Sequence, residues 1–321
     1  MPGTFPLKND LLEARNRIRQ HIHYTPLLTS KTINTLLEAE VFFKCENFQK
    51  AGAFKFRGAT NAILSLSTED QKKGVATHSS GNHAQALALA AKQNHIPAYI
   101  VMPENAPKVK VNAVKGYGGI ITFCKPTLQA REETLAQVIE KTGAREIHPY
   151  NNFLIICGQS TAAQEVFEEI PEPDYFITPV GGGGLLSGTA LACHYLSPAT
   201  KVLAAEPSGA DDAYRSFNAG TLIPSTNPDT IADGLLTSLG SLTFPVIKDY
   251  VENILLADEE FIIEAMHLIW ERMKIVIEPS AALPLAVLLQ QKSQGENFFK
   301  GKRIVLLLSG GNIDLNKLPW Q

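Results

Sequence analysis

Lys55 lies in the stretch QKAGAFKFRGA, residues 49–59, between Phe54 and Phe56. An ammonium in apolar surroundings loses hydration, which disfavours the charged form and lowers the pKa. The neutral amine this leaves at pH 7 can attack a carbonyl and form a Schiff base. A second stretch, THSSGNHAQALALAA (77–91), passes from a strand-like run into Ser79, Ser80, Gly81, Asn82 and His83, then an alanine-rich helix. Hydroxyl, amide and free N–H groups at a helix start suit an anion such as a substrate carboxylate. A helix cap at Ser79 or Ser80 would explain one of these residues and not the group.

The third stretch is VGGGGLLSG (180–188), directly after YFITPV. Strand, glycines and helix in that order make a nest of backbone N–H groups that binds phosphate. Two kinds of phosphate ligand fit it at this point. Gly182, Gly184 and Gly188 match a dinucleotide fingerprint, with Glu206 ending the next strand as the ribose acid. A cofactor with one phosphate fits equally well. The fourth stretch, LLLSGGN (306–312), ends an apolar strand in Ser309, and ligands gather at strand carboxyl ends in open α/β sheets. A Schiff-base lysine beside a one-phosphate site points to pyridoxal phosphate. The dinucleotide reading, an oxidoreductase, leaves Lys55 and SSGNH without a role.

Strands alternating with helices must bring these stretches together. Strand candidates are 41–45, 74–78, 98–102, 120–124, 175–180, 201–206 and 303–308, and helical segments include 81–94, 127–141, 158–170 and 258–273. That alternation predicts βαβ units and parallel sheet, an α/β fold. Residues 74–149 hold three such units and read as a small substrate-loop domain. It is inserted into a large cofactor-binding domain built from 1–70 and 150–321. The stretch 207–235 is the most irregular, and long irregular loops in compact folds are often functional.

The bulk properties narrow the classes. The chain has 321 residues, 45% hydrophobic and 19% charged, which is globular composition with room for two domains. A net charge of −3 argues against nucleic acid or an anionic membrane as partner. Four scattered cysteines without a C-x-x-C pair read as free thiols in a reducing compartment. The N-terminal residues lack a signal-peptide core and no apolar run is long enough to cross a bilayer, so a cytoplasmic protein is expected.

With these residues assembled, the chain resembles fold-type II pyridoxal-phosphate enzymes, in the serine racemase and threonine dehydratase family. The likeness runs from HYTPLLTS (23–30) to LSGGNIDL (308–315), with ERMKIVIEPSAA (271–282) also family-like. It implies a two-domain fold like that of the tryptophan synthase β chain, with open, twisted, parallel-rich sheets flanked by helices. It implies Lys55, beside Phe54, as the cofactor lysine and Gly181, Gly182, Gly183, Gly184 and Leu185 as the phosphate cup. Asn82 would meet the pyridoxal 3-hydroxyl, and Ser309 the pyridine nitrogen. A neutral serine there leaves the ring a weaker electron sink, suited to racemisation and β-elimination. Members of the racemase branch also bind a divalent cation, and the matching ligands are Glu206, Asp212 and the Ala210 carbonyl. An oxygen-only set suits Mg²⁺, Ca²⁺ or Mn²⁺.

Within the family, Ser80 discriminates. Simple threonine dehydratases generally carry alanine there, and a hydroxyl opposite Lys55 supplies the second acid/base that racemisation needs. The resemblance therefore implies a serine/threonine dehydratase with serine racemase activity, its substrate carboxylate held by Ser79, Gly81, Asn82 and His83. Arg131 matches a racemase position near the substrate and would favour a second carboxylate, as in 3-hydroxyaspartate dehydratases; a surface arginine paired with Glu132 or Glu133 is the alternative. A homodimer is expected. ATP at a dimer interface would use Lys50, Gln85 and Tyr117, whereas Ala51 and Lys31 depart from the racemase pattern. With the sequence ending soon after LSGGN, a C-terminal regulatory domain is not expected.

Overall fold

Ten strands form two sheets in the computed structural model, which describes residues 5–296 and 298–320. In spatial order the larger sheet is β1 (Leu27–Thr29), β2 (Glu40–Cys45), β10 (Arg303–Leu308), β7 (Tyr175–Pro179), β8 (Lys201–Pro207) and β9 (Asn253–Ala257). The smaller is β5 (Ile120–Cys124), β4 (Ala98–Pro103), β3 (Val75–His78) and β6 (Arg145–Glu146). Only β1 is antiparallel to its neighbour; every other pairing is parallel. β10 is central, with Leu306 opposite Phe43 on one side and Ile177 on the other.

Parallel strands covered on both faces read as unbroken apolar runs, which is the character of IVLLL in β10. On one face Ile304, Leu306 and Leu308 pack with Met266, Ile269 and Leu285 of helices Glu259–Met273 and Pro279–Ser293. On the other, Val305 and Leu307 meet Val166 and Leu186 of helices Phe153–Glu169 and Gly184–Leu196. The smaller sheet has its own core, with Ile100 and Met102 packed on Leu87 of helix Asn82–Gln93. Among the described residues no helix is long and apolar enough to cross a membrane.

All seven expected strands form, within a residue or so of their predicted ends. The expected helix at 158–170 is longer, because Asn152 starts it: its side-chain oxygen accepts from the backbone N–H groups of Leu154 (2.9 Å) and Ile155 (3.1 Å). The irregular stretch 207–235 contains the helix Asp212–Ala219.

Candidate active site

Each of the four stretches sits just beyond the carboxyl end of a parallel strand, where an open sheet leaves a crevice. Lys55 opens the helix Lys55–Leu64 after β2, the glycines follow β7, Ser309 follows β10 and Ser79 follows β3. The two sheets meet through side chains at those ends. Asn82 donates from Nδ2 to both carboxylate oxygens of Glu278 (2.8 and 3.1 Å), and its Oδ1 accepts from Asn312 Nδ2 (2.9 Å).

Lys55 is partly buried, and its amine donates to the Pro149 carbonyl at 2.9 Å. Burial pushes the amine down to about 8, against the pull of the Glu278 carboxylate. The flanking rings diverge. Phe56 is fully buried in the small-sheet core, while Phe54 packs against the large-sheet cluster, its ring centroid 5.1 Å from the Lys55 amine. The Phe54 N–H donates to the Ser309 carbonyl (3.0 Å), tying the lysine turn to the end of β10.

The glycine loop is built by close approach. A methyl at Gly182 would collide with the Tyr150 ring, and Gly183 holds a left-handed φ of +87°. Thr243 donates its hydroxyl to the Gly182 carbonyl (2.8 Å), and the Asn151 side chain accepts from the Leu242 N–H (2.7 Å). Gly182 to Leu185 are buried, and Gly181 lies under Leu235. This cradle, a helix N-terminus beside an enclosed amine, fits a cofactor with one phosphate and a reactive carbonyl.

Neither serine of SSGNH caps the following helix: its N-cap is Gly81, without a side-chain bond. Ser79 accepts the Gly81 N–H at 3.3 Å, and the Ser80 hydroxyl has no hydrogen bond among the described residues. His83 is buried. Its Nε2 sits 3.0 Å from the Ile147 carbonyl and must donate there, so Nδ1 carries no proton; burial pushes the ring down to about 3. The expected contact with a substrate carboxylate is thereby restricted to the His83 backbone N–H. Arg131 makes no ion pair with Glu132 or Glu133 among the described residues, and its Nε is buried without a partner.

Sequence reasoning passed over three groups here. Glu278 is buried, and burial pushes its carboxyl up to about 7. His148 accepts the Asn151 N–H on Nδ1 (2.9 Å), leaving its proton on Nε2, and burial pushes it down to about 4. Tyr150 stacks edge-on against His148 with centroids 4.6 Å apart. The adjoining motifs, IEPS and HPYNN, were the available signals.

Glu206 is buried at the end of β8, accepting the N–H groups of Ala213 (2.8 Å) and Tyr214 (2.7 Å). Each oxygen thus accepts one backbone N–H and keeps a second lone pair. Burial pushes it up to about 8. Asp212 is buried beside it; neither carboxylate oxygen has a donor at full hydrogen-bond distance, and the Ser225 hydroxyl and Leu239 backbone lie close enough to oppose the upward push of burial on its pKa. Two buried carboxylate oxygens without a close donor suit a hard cation. Among the described residues no cluster of three His, Cys, Asp or Glu side chains could hold a metal; the expected set has two carboxylates and the carbonyl of buried Ala210. Of the residues matched to ATP, Lys50 donates to the His21 carbonyl (2.6 Å) and Gln85 is buried.

The model of the pyridoxal-phosphate dependent enzyme family matches residues 18–310, and the chain belongs to that family. It is 52% identical to the serine racemase of Dictyostelium discoideum, over 98% of this chain and 97% of that protein. It is 50% identical to a beta-hydroxyaspartate dehydratase of Paracoccus denitrificans, covering 98% and 99%. Its fold matches the crystal structure of a T.th. threonine deaminase with a TM-score of 0.91 and 42% identity, over 97% of this chain and all of that one. The fold is the α/β architecture of fold-type II, and the dinucleotide oxidoreductase reading is set aside.

Proposed function

We propose that the chain eliminates water from a hydroxy amino acid, leaving an enamine that a water molecule then hydrolyses to a keto acid and ammonia, and that it interconverts the enantiomers of serine. The observation that carries this is Lys55: an amine lowered by burial, at the mouth of two facing sheets and joined through Phe54 to Ser309. Bound pyridoxal phosphate supplies the electron sink that makes the substrate Cα–H acidic. Gly181 to Gly184 and Leu185 would hold its phosphate, and Asn82 and Ser309 would border its ring. The backbone start of helix Asn82–Gln93, with Ser79 and Gly81, binds the substrate carboxylate. Lys55 takes the Cα proton on one face. Ser80, whose hydroxyl is unengaged, returns a proton on the other face, or the β-hydroxyl takes up the proton held by Lys55 and departs as water. Glu206, Asp212 and the Ala210 carbonyl take a divalent cation, of which Mg²⁺ is the natural first test.

A second reading, 3-hydroxyaspartate as substrate, is favoured by Arg131: an arginine without an ion-pair partner beside His78 leaves its charge available to a second carboxylate. The working unit we assign is a cytoplasmic homodimer, with residues 74–149 as the small substrate-loop domain. The four cysteines are free and buried, as suits a reducing compartment.

Keto-acid release from L-serine, L-threonine and 3-hydroxyaspartate, with and without Mg²⁺, ranks the substrates. Ser80→Ala abolishes L-to-D exchange while elimination persists within about tenfold. Equal loss of both activities contradicts the two-base scheme.

A further inference from the structure

Two residues beyond Lys55, Arg57 is fully buried and every side-chain nitrogen donates. Nε donates to Glu46 Oε2 at 2.7 Å. Nη1 donates to Glu165 Oε1 (2.6 Å) and Thr161 Oγ1 (3.2 Å). Nη2 reaches Glu46 Oε1 (2.8 Å), Glu165 Oε2 (2.8 Å) and Thr25 Oγ1 (3.2 Å). Lys44 balances the second carboxylate, donating to Glu165 Oε2 at 2.6 Å and to the Thr25 carbonyl at 2.7 Å. Two cations and two carboxylates are therefore enclosed together.

Stability is a weak reason for such a cluster. Removing charges from water costs about as much as their attraction returns, and apolar replacements of buried ion pairs are often no less stable. What a guanidinium held by two carboxylates supplies is direction, since its planar fork fits only one orientation. Residues two apart on an α-helix are separated by about 200°, so Lys55 and Arg57 leave the same first turn on opposite sides. Fixing Arg57 fixes the rotation of that turn, and with it the direction in which Lys55 extends.

The partners of Arg57 give the fixing a reference frame. Glu165 and Thr161 belong to helix Phe153–Glu169, and Glu46 follows β2. The same helix packs on the helix that starts at the glycine cup: a methyl at Gly188 would lie 2.7 Å from the Ile156 carbonyl and the Ser160 nitrogen. One helix thus meets both the lysine turn and the cup helix by direct backbone approach. We infer that Arg57 is a positioning residue that aims Lys55 relative to the phosphate cup through Glu46 and Glu165. The inference rests on the reading of Lys55 as the lysine that carries the cofactor.

Arg57→Lys keeps the buried charge and gives up the fork. In cofactor-loaded protein the variant retains cofactor through the cup, but borohydride reduction followed by peptide mapping finds the fraction linked to Lys55 lowered by about half or more. Its kcat falls about tenfold or more, as expected of a misaimed reacting group, while KM stays within about threefold. A folded Arg57→Lys protein with the wild-type linked fraction and kcat overturns the inference. Should that variant not fold, Thr161→Val removes one partner of the fork and shows the same pattern at about twofold to threefold. An unchanged linked fraction and kcat in Thr161→Val then overturns it. Wild-type protein with no visible cofactor band overturns the reading of Lys55 itself, a result separate from either variant outcome.

Discussion

Glu278 is a carboxylic acid enclosed within reach of Lys55, and its titration has a sign that can be measured. Its folded pKa of about 7 lies above the ordinary carboxylate value, because burial penalises the charged form. Its contribution to stability is therefore complete below the unfolded pKa and is lost as pH rises through about 7. Glu278→Gln keeps an acceptor for Asn82 and no longer titrates. Urea unfolding of apoprotein at pH 4.5 and 7.5 should show the variant gaining on the order of 3 kcal/mol relative to wild type across that interval. His83 acts in the opposite sense. Its ring is held neutral to about pH 3, so its contribution is lost as pH falls below the ordinary histidine range. Comparing Glu278→Gln with wild type, each carrying His83, isolates the carboxylate.

At the scale of elements, helix Phe153–Glu169 sets the spacing of the site. A methyl at Gly158 would lie 2.5 Å from the Gly58 Cα and 2.8 Å from the Arg57 carbonyl, backbone atoms that cannot swing aside. Gly158→Ala should cost about 1–3 kcal/mol in urea unfolding and lower the fraction of cofactor linked to Lys55. Much of this architecture is legible in the sequence. Apolar runs such as RIVLLL announce buried parallel strands, and SSGNH, GGGG and LSGGN stand at their ends. β1, β6 and β9 were not legible, being two to five residues long and at or beside sheet edges, where little burial enforces a pattern. The lysine was legible by its aromatic neighbours, yet the division of Phe54 and Phe56 between two cores was not. Neither was the Arg57 fork, since Glu46 and Glu165 are distant in sequence from each other. Likewise Glu278 acquires its surroundings only when β10 brings Gly310 against it: the Glu278 N–H donates to the Gly310 carbonyl at 3.0 Å.

Across the whole molecule, the two sheets are joined by few polar links. Among the described residues, the one ion pair between the β3–β6 segment and the rest of the chain is Lys110 with Asp233. Lys110 stands on helix Lys108–Gly116, and Asp233 opens the turn that lies over Gly181. Asp233 is half exposed, so the pair is worth at most about 1 kcal/mol. Lys110→Ala should raise KM for the substrate no more than about fivefold and speed proteolysis between the sheets, and Lys110→Asp with Asp233→Lys should restore both. Thermal unfolding gives a separate test of the proposed cation site. Mg²⁺ at a hundred times its Kd should stabilise wild type by about 2.7 kcal/mol, and Asp212→Asn should not respond.

The central claim is that Lys55 carries the cofactor, and the visible absorption spectrum of protein reconstituted with pyridoxal phosphate tests it most directly. Wild type should show the band of the lysine-linked cofactor, and borohydride should fix that cofactor on the peptide containing Lys55. Lys55→Ala should lack the band and lose elimination by about a thousandfold or more. A band that persists unchanged in Lys55→Ala would contradict the account.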